Sequence, residues 1–537
     1  MPISRRALMS GIAAAGALSS AMPALARAAG TTSNTAVLET MKRATRFMVE
    51  EAAVEGGYVW AALPDFSRRW GELEASPTMI WIQPPGTATM GHLFLDAYHA
   101  TGDEYYHQAA KDVAGALIRA QLPSGGWNYV HDMAGEAAEQ HWYDTVAANA
   151  WRLEEFRHRY GNGTFDDAGT SETAQFLLRL YLENRDEAYR APLYRAIDFV
   201  LDAQYPNGGW PQRFPLAEDE GDYSRHITFN DDVAGENLEF LIFVYQALGE
   251  TRVLEPIRRG MDIFLATQQP MPQPAWGLQH YLHDLTPAPA RSIEPRAFAS
   301  HTTAANIRAL IGFYRLTGDR KYLARIPEAI DWLEDVAAPA GIRPPGRTHP
   351  TFIQIGNGRP LYIHRRGSNV ANGEYYADEN PNDTVIHYGS FRAVDTDALR
   401  AAYEAAAALS PEQASAGSPL LAPAGSRSLP RYFTLKDVDV SDMDAPGFDP
   451  TPPSAQRLAE LIGGLNARGY WSTPLTTTSN PYIGPAPAEV TPGEFRLTRV
   501  GDPWDTSPYI TDFPVEGVST SVYIRNMGQL IQALGAR

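Results

Sequence analysis

The sequence predicts an all-α dominated chain: an (α/α) toroid or barrel of helical hairpin repeats, with a smaller mixed C-terminal region. Three observations carry that prediction. Tyr98, Tyr181 and Tyr245 each stand 23 residues before a glutamine, namely Gln121, Gln204 and Gln268. Each unit then runs into a Pro/Gly/Trp loop: LPSGGW, YPNGGW, PMPQPAWG. Strand-like alternation is scarce before residue 350. Repeated helix pairs bury their faces on their neighbours. Loops this long between pairs suit a toroid better than a thin solenoid.

In chain order, residues 1–28 read as an export signal. Twin arginines, Arg5 and Arg6, precede an apolar Ala/Gly/Leu run and the small-residue sites at 24–28. That is the pattern of twin-arginine export, and the run covers only about half a bilayer. The protein is therefore expected in the periplasm or outside the cell, off the membrane once the signal is cleaved. Residues 36–54 carry Leu38, Met41, Ala44 and Met48 at helical spacing. A Trp/Pro/Gly-rich loop follows at 56–86. Each repeat then offers one helix ending near its Tyr, a short turn (ATGDEYY, ENRDEAY, ALGETRV) and a second helix. A related unit begins at Tyr314 (turn LTGDRKY), with Ala337 where the glutamine would stand. The toroid is expected over 34–410. Residues 411–431, rich in Pro, Ser, Ala and Gly, read as a linker or long surface loop. Residues 432–537 form a C-terminal region with helices expected at 455–465 and 522–534.

The chain has 537 residues, a formal charge of -18 and no cysteine. Disulfides, thiolate metal sites and cysteine nucleophiles are excluded. An acidic balance argues against a nucleic-acid partner over the whole surface. The chain is expected to be a monomer.

Two features point to chemistry. Asp167 and Asp231 each lie 14 residues before a repeat Tyr, at the start of an inner helix. One acid there is an ordinary cap or dipole partner. The adjacent pair Asp231 and Asp232 exceeds what one cap needs and offers hard oxygens suited to Ca²⁺. The second feature is a gap: from Val336 to Gly373 there is no Asp or Glu, while the span holds Arg343, Arg347, Arg359, Arg365, Arg366, His349 and His364. Guanidinium forks match carboxylates bidentately. The gap looks directed at an anion, although arginines pairing with acids elsewhere would give the same composition. Trp127 and Trp210 either pack locally or stack on a sugar face.

The stretches YPNGGWPQRFP, HITFNDD, ARSIEP and GNGRPLYIHRRG, in that order, resemble polysaccharide lyase family 10, the pectate lyases. The resemblance covers roughly residues 80–390. It implies an (α/α) toroid that cleaves polygalacturonate by β-elimination, using Ca²⁺ and an arginine base. Carried over by position, the metal ligands fall on Asp231 and Asp232 and the base on Arg365. Arg366 replaces an acid that the family often has, and the family's following aromatic run is matched only by Gly373-Glu374-Tyr375-Tyr376. Trp210, Gln212, Arg291, Arg296, Arg359 and Arg366 are the candidate contacts for an anionic polysaccharide. Tyr223 and His226 are fallback bases.

Two other classes fit the same residues. A glycoside hydrolase would use two carboxylates, Asp167 and Asp231, as acid and base. A non-catalytic polysaccharide-binding protein would leave the polymer's length unchanged.

Overall fold

The computed structural model describes residues 34–149, 154–156, 159–366, 374–382, 384, 390–434, 452–475 and 515–535. The export signal expected at 1–28 lies outside them. Among the described residues there are fourteen α-helices: α1 (Asn34–Phe47), α2 (Thr87–Thr101), α3 (Glu104–Ala120), α4 (Glu136–Thr145), α5 (Gly169–Asn184), α6 (Glu187–Ala203), α7 (Val233–Leu248), α8 (Leu254–Thr267), α9 (Ser300–Thr317), α10 (Ile326–Asp335), α11 (Thr396–Ala407), α12 (Pro411–Ser415), α13 (Ala455–Gly464) and α14 (Thr520–Ala533). Consecutive helices pair as hairpins, α2 with α3, α5 with α6, α7 with α8 and α9 with α10. The first helices of the hairpins adjoin one another, α2 on α5 and α5 on α7. The result is an (α/α)-toroid arrangement rather than a closed barrel.

The sequence repeat has a physical cause at each of its marked positions. The carbonyls of Tyr98, Tyr181, Tyr245 and Tyr314 accept the N–H of the left-handed residue that ends each inner helix, at 2.7–3.1 Å. Each repeat glutamine then staples its own turn to the next outer helix. Gln121 Nε2 donates to Gly125 O and Pro192 O at 2.8 and 2.9 Å, and Gln204 Nε2 to Gly208 O and Pro256 O at 3.0 and 2.9 Å. Gln268 does the same with Pro274 O and Arg325 O. The turn must approach that helix closely. A Cβ on Gly208 (φ +97°) would stand 2.0 Å from the Arg259 carbonyl of α8, and only glycine fits.

Each loop tryptophan is a peg. The indole N–H of Trp127 donates to Leu117 O at 2.7 Å, that of Trp210 to Val200 O at 2.9 Å and that of Trp276 to Phe264 O at 2.9 Å. All three rings are fully buried. Trp210, expected as a sugar contact, is therefore part of the core: its ring has no accessible face and its one donor is spent on the end of α6.

The C-terminal region returns to the start of the chain. α14 packs on α1 and α2. Strand 515–519 pairs antiparallel with 61–62, Ala61 opposite Ser519. The 411–431 stretch runs under the inner helices as a strap. Tyr314 Oη donates to Leu409 O and Tyr245 Oη to Ala422 O. At its end Phe433 stacks on His92 (centroids 5.0 Å apart), and the backbone N–H groups of Phe433 and Thr434 donate to the buried Asp96 of α2. Among the described residues no helix is long and apolar enough to cross a membrane.

Trp210→Ala removes a fully buried indole and leaves the Val200 carbonyl without its donor. It is expected to destabilise the chain by about 3–5 kcal/mol, read as a lower urea midpoint.

Candidate functional site

The loops that follow the tryptophans converge at the N-termini of α5, α7 and α9. Residues 165–168 (FDDA) and 229–232 (FNDD) enter α5 and α7 in the same way. In both, the third and fourth residues are left-handed: Asp167 at φ +46° and Ala168 at +54°, Asp231 at +49° and Asp232 at +52°. Such backbone is disfavoured for residues with a Cβ and collects at functional sites. Here it occurs twice, at equivalent positions that touch each other.

The two junctions and the start of α9 line one cavity of about 240 Å³, whose walls include Asp167, Asp231, Asp232, Glu236, His301 and Thr302. The Asp232 carboxylate folds over the first turn of α7. Gly235 makes room for it, since a Cβ there would meet Asp232 Oδ1 at 2.3 Å. Glu236 lies one turn further along α7 and 3.4 Å from Ser171 Oγ. Burial first, then Glu239, Asp232 and Glu172, pushes its carboxyl well above the ordinary carboxylate value. Glu172 occupies the corresponding place on α5. Desolvation lifts its carboxyl to about 7, against a lowering hydrogen bond from Thr89. His301 moves the other way: burial, then the Arg392 guanidinium, holds its imidazole neutral.

Beneath the cavity sits Arg291, 3% exposed. Its Nη1 donates to Glu155 at 2.9 Å and its Nη2 to Glu294 at 2.9 Å. Asp166 and Asp231 each bring an oxygen within 3.8 Å of the same guanidinium. Gln212 Nε2 donates to Asp166 at 2.7 Å, and Tyr129 Oη donates to the same oxygen. Gln83 Nε2 donates to Asp167. Gln212 is 1% exposed, so in this structure it holds Asp166 rather than facing the cavity.

The structure gathers Asp231, Asp232, Arg291 and Gln212, and separates them from Arg296 and Arg359. Arg296 lines a second, open cavity with Gln354, Asp378 and Glu379. Arg359 pairs with Glu379 at 3.2 Å there. Arg359 of the acid-free gap thus finds its partner in an acid just after it, and His364 likewise lies 2.9 Å from Asp378. Arg365 and Arg366 fall on strand Pro360–Arg366, with Arg365 opposite Tyr375. Their side chains lie outside the described part, as does Gly373. The strand pairs with 352–353, which pairs with 298–299 leading into α9. Of the fallback bases, Tyr223 is a poor one: burial and Glu155 push its hydroxyl well above the usual value. His226 is half-buried against the Tyr281 ring, 5.0 Å away, and does not line the cavity.

Sequence reasoning missed Glu155, Glu236, Glu294 and His301, and weighed Asp166 beside Asp167 without giving it a site role. The signal for Asp166 was its register with Asn230. Glu294 stands three residues after Arg291 in ARSIEP, a spacing at which the two side chains can meet. Glu155 carries no pattern at all.

The hard oxygens on the cavity suit an oxygen-preferring cation. Among the described residues no three His, Asp or Glu side chains converge as a metal centre of their own. Asp231 and Asp232 would supply two ligands, leaving other positions for substrate and water.

The fold is a helical toroid, and its cavity is walled by paired carboxylates. Residues 134–304 match the model of one family, described as pectic acid lyase. That span contains both strained junctions, Gln212, Arg291 and Glu294, and ends before the 360–366 strand. The match supports a polysaccharide lyase. Among solved structures, the family 10 polysaccharide lyase from Cellvibrio cellulosa is 19% identical, covering 50% of this chain and 84% of its own at a TM-score of 0.36. A mutant of that lyase was solved in complex with trigalaturonic acid. The cellobiose 2-epimerase from Spirochaeta thermophila is 13% identical, covering 94% and 100% at a TM-score of 0.40. The alpha-1,6-mannanase from Salegentibacter is 12% identical, covering 93% and 99% at 0.37. No curated protein matches the chain.

Two outcomes follow from this geometry. Asp231→Gly relieves the left-handed backbone and is expected to keep or raise stability by about 1 kcal/mol, while abolishing activity; thermal midpoint and turnover measured together check it. The fold favours protonated Glu172, so its contribution is fully present below pH 4.5 and is lost as pH rises through about 7. Glu172→Gln should therefore melt above the native chain at about pH 8, and the gap should close in acid.

Proposed function

We propose that this protein cleaves polygalacturonate, or a related uronic-acid polysaccharide, by β-elimination at the cavity between α5, α7 and α9. One observation supports this most: the pectic acid lyase match spans both strained Asp junctions, and both open on the same cavity. Asp231 and Asp232 would hold Ca²⁺. When bound, that ion would neutralise the uronate carboxylate and make the neighbouring C5–H more acidic.

The chain's own residues do the rest. Arg291 fixes Asp231 from beneath, and Gln83 fixes Asp167, so the carboxylates are preorganised before substrate arrives. Arg365 takes the C5 proton, the C4–C5 double bond forms, and the C4–O bond breaks with its electron pair leaving on the oxygen, which gains a proton from water. A guanidinium acts as a base only where a strongly cationic setting lowers its pKa, which Arg366 and the bound cation would supply. His301, neutral and on the cavity wall, is the second candidate for that proton. Removal of the twin-arginine segment on export would place the enzyme with extracellular polymer.

A hydrolase reading keeps one observation in its favour, since Asp167 and Asp231 line the same cavity. The product separates the two. With Ca²⁺ and polygalacturonate, the purified chain is expected to release 4,5-unsaturated ends that absorb in the ultraviolet, and EDTA should abolish the signal. Arg365→Ala should lower kcat about a thousandfold; a loss confined to His301→Ala would move the base there. New reducing ends without unsaturation would refute the lyase.

A further inference from the structure

A third cavity lies at the opposite end of the inner helices, where the 425–431 strap passes beneath α5. Its volume is about 480 Å³. Six titratable side chains line it: Arg179, Arg185, Arg427, Arg431, His99 and Glu183. Two of the charges are already matched. Arg179 pairs with the buried Asp96 at 2.6 Å, and His99 Nε2 lies 2.6 Å from Glu183.

The other three guanidinium groups have no carboxylate within ion-pair reach among the described residues. Arg427 Nη1 donates to Gly417 O at 2.6 Å, and Arg431 Nη2 donates to His99 O. Arg185 sits over the Tyr181 ring at 5.3 Å. Arg185 is also fixed in place by its backbone, being the left-handed residue (φ +56°) that ends α5. Three unneutralised positive charges around one hollow repel one another. In a chain of formal charge -18, acids to neutralise them were abundant. The carbonyl partners leave further guanidinium N–H groups for an oxyanion, which arginine binds in a planar fork.

We propose that this cavity is a second anion site, taking a small oxyanion with more than one charged oxygen group, carboxylate or phosphate. It lies away from the carboxylate-lined cavity and shares no lining residue with it. Two sources carry that chemistry, a short uronate oligomer and a free metabolic anion.

Titration calorimetry on the full chain distinguishes them, with three probes: inorganic phosphate, citrate and trigalacturonate. The trigalacturonate arm uses the Asp231→Asn/Asp232→Asn variant, which weakens binding at the first cavity. At least one probe should give saturable heat, and Arg185→Glu should weaken it by about tenfold or more while leaving turnover of polymer unchanged. Arg185 is exposed and makes only a ring contact, so its variant should fold; Arg427→Gln is the second variant. Heat from trigalacturonate that Arg185→Glu removes assigns a uronate. Heat from citrate or phosphate alone assigns a free anion. Absence of saturable heat from all three probes, or heat that neither arginine variant changes, overturns the site.

Discussion

Arg291 is the interaction on which the site depends. A guanidinium this deeply buried is tolerated only when charges and hydrogen bonds surround it, because desolvation costs several kcal/mol per ion. Here Glu155, Asp166, Asp231 and Glu294 supply them, from the three connections α4–α5, α6–α7 and α8–α9. Each segment is thereby pinned to one point beneath the cavity. A second buried guanidinium, Arg213, lies near the same carboxylates, so the acids of the region still outnumber its cations. On the cavity wall, burial and then Glu239, Asp232 and Glu172 push Glu236 upward.

The strain at the two junctions makes sense against that anchor. A left-handed Asp or Ala persists only where its surroundings over-determine it. The surroundings here are the glutamine staples and tryptophan pegs, which fix the helix ends from outside, and Arg291, which fixes the loops from inside. Asp167 and Asp231 share the same unusual backbone but are held by different partners, Gln83 and Arg291. The family match falls over this doubled unit.

The toroid was legible because its repeat marks have mechanical jobs: the tyrosine carbonyl closes a helix end, and the glutamine bridges to the next hairpin. The tryptophan was misleading at position 210, because a peg and a sugar platform leave the same mark in sequence. Asp231 and Asp232 were visible as one acid more than a cap needs. The arginine-bearing gap was visible too, but its destination was not, since Arg359 goes to Glu379, beside a separate cavity that Arg296 also lines. What stayed hidden was long-range pairing, such as Glu155 with Arg291 or Asp96 with the backbone at 433–434. Nothing local in the chain announces contacts that distant.

The most direct test replaces Arg291 by methionine and follows the thermal midpoint against pH. Without the guanidinium, the buried carboxylates would sit above their unfolded pKa values, so the folded state would favour their protonated forms. Stability in the variant should then be greatest below about pH 4 and fall as pH rises towards neutrality, with the deficit against the native chain shrinking in acid. A deficit of the same size at every pH would contradict the account, because Arg291 would then be filling space rather than holding charge.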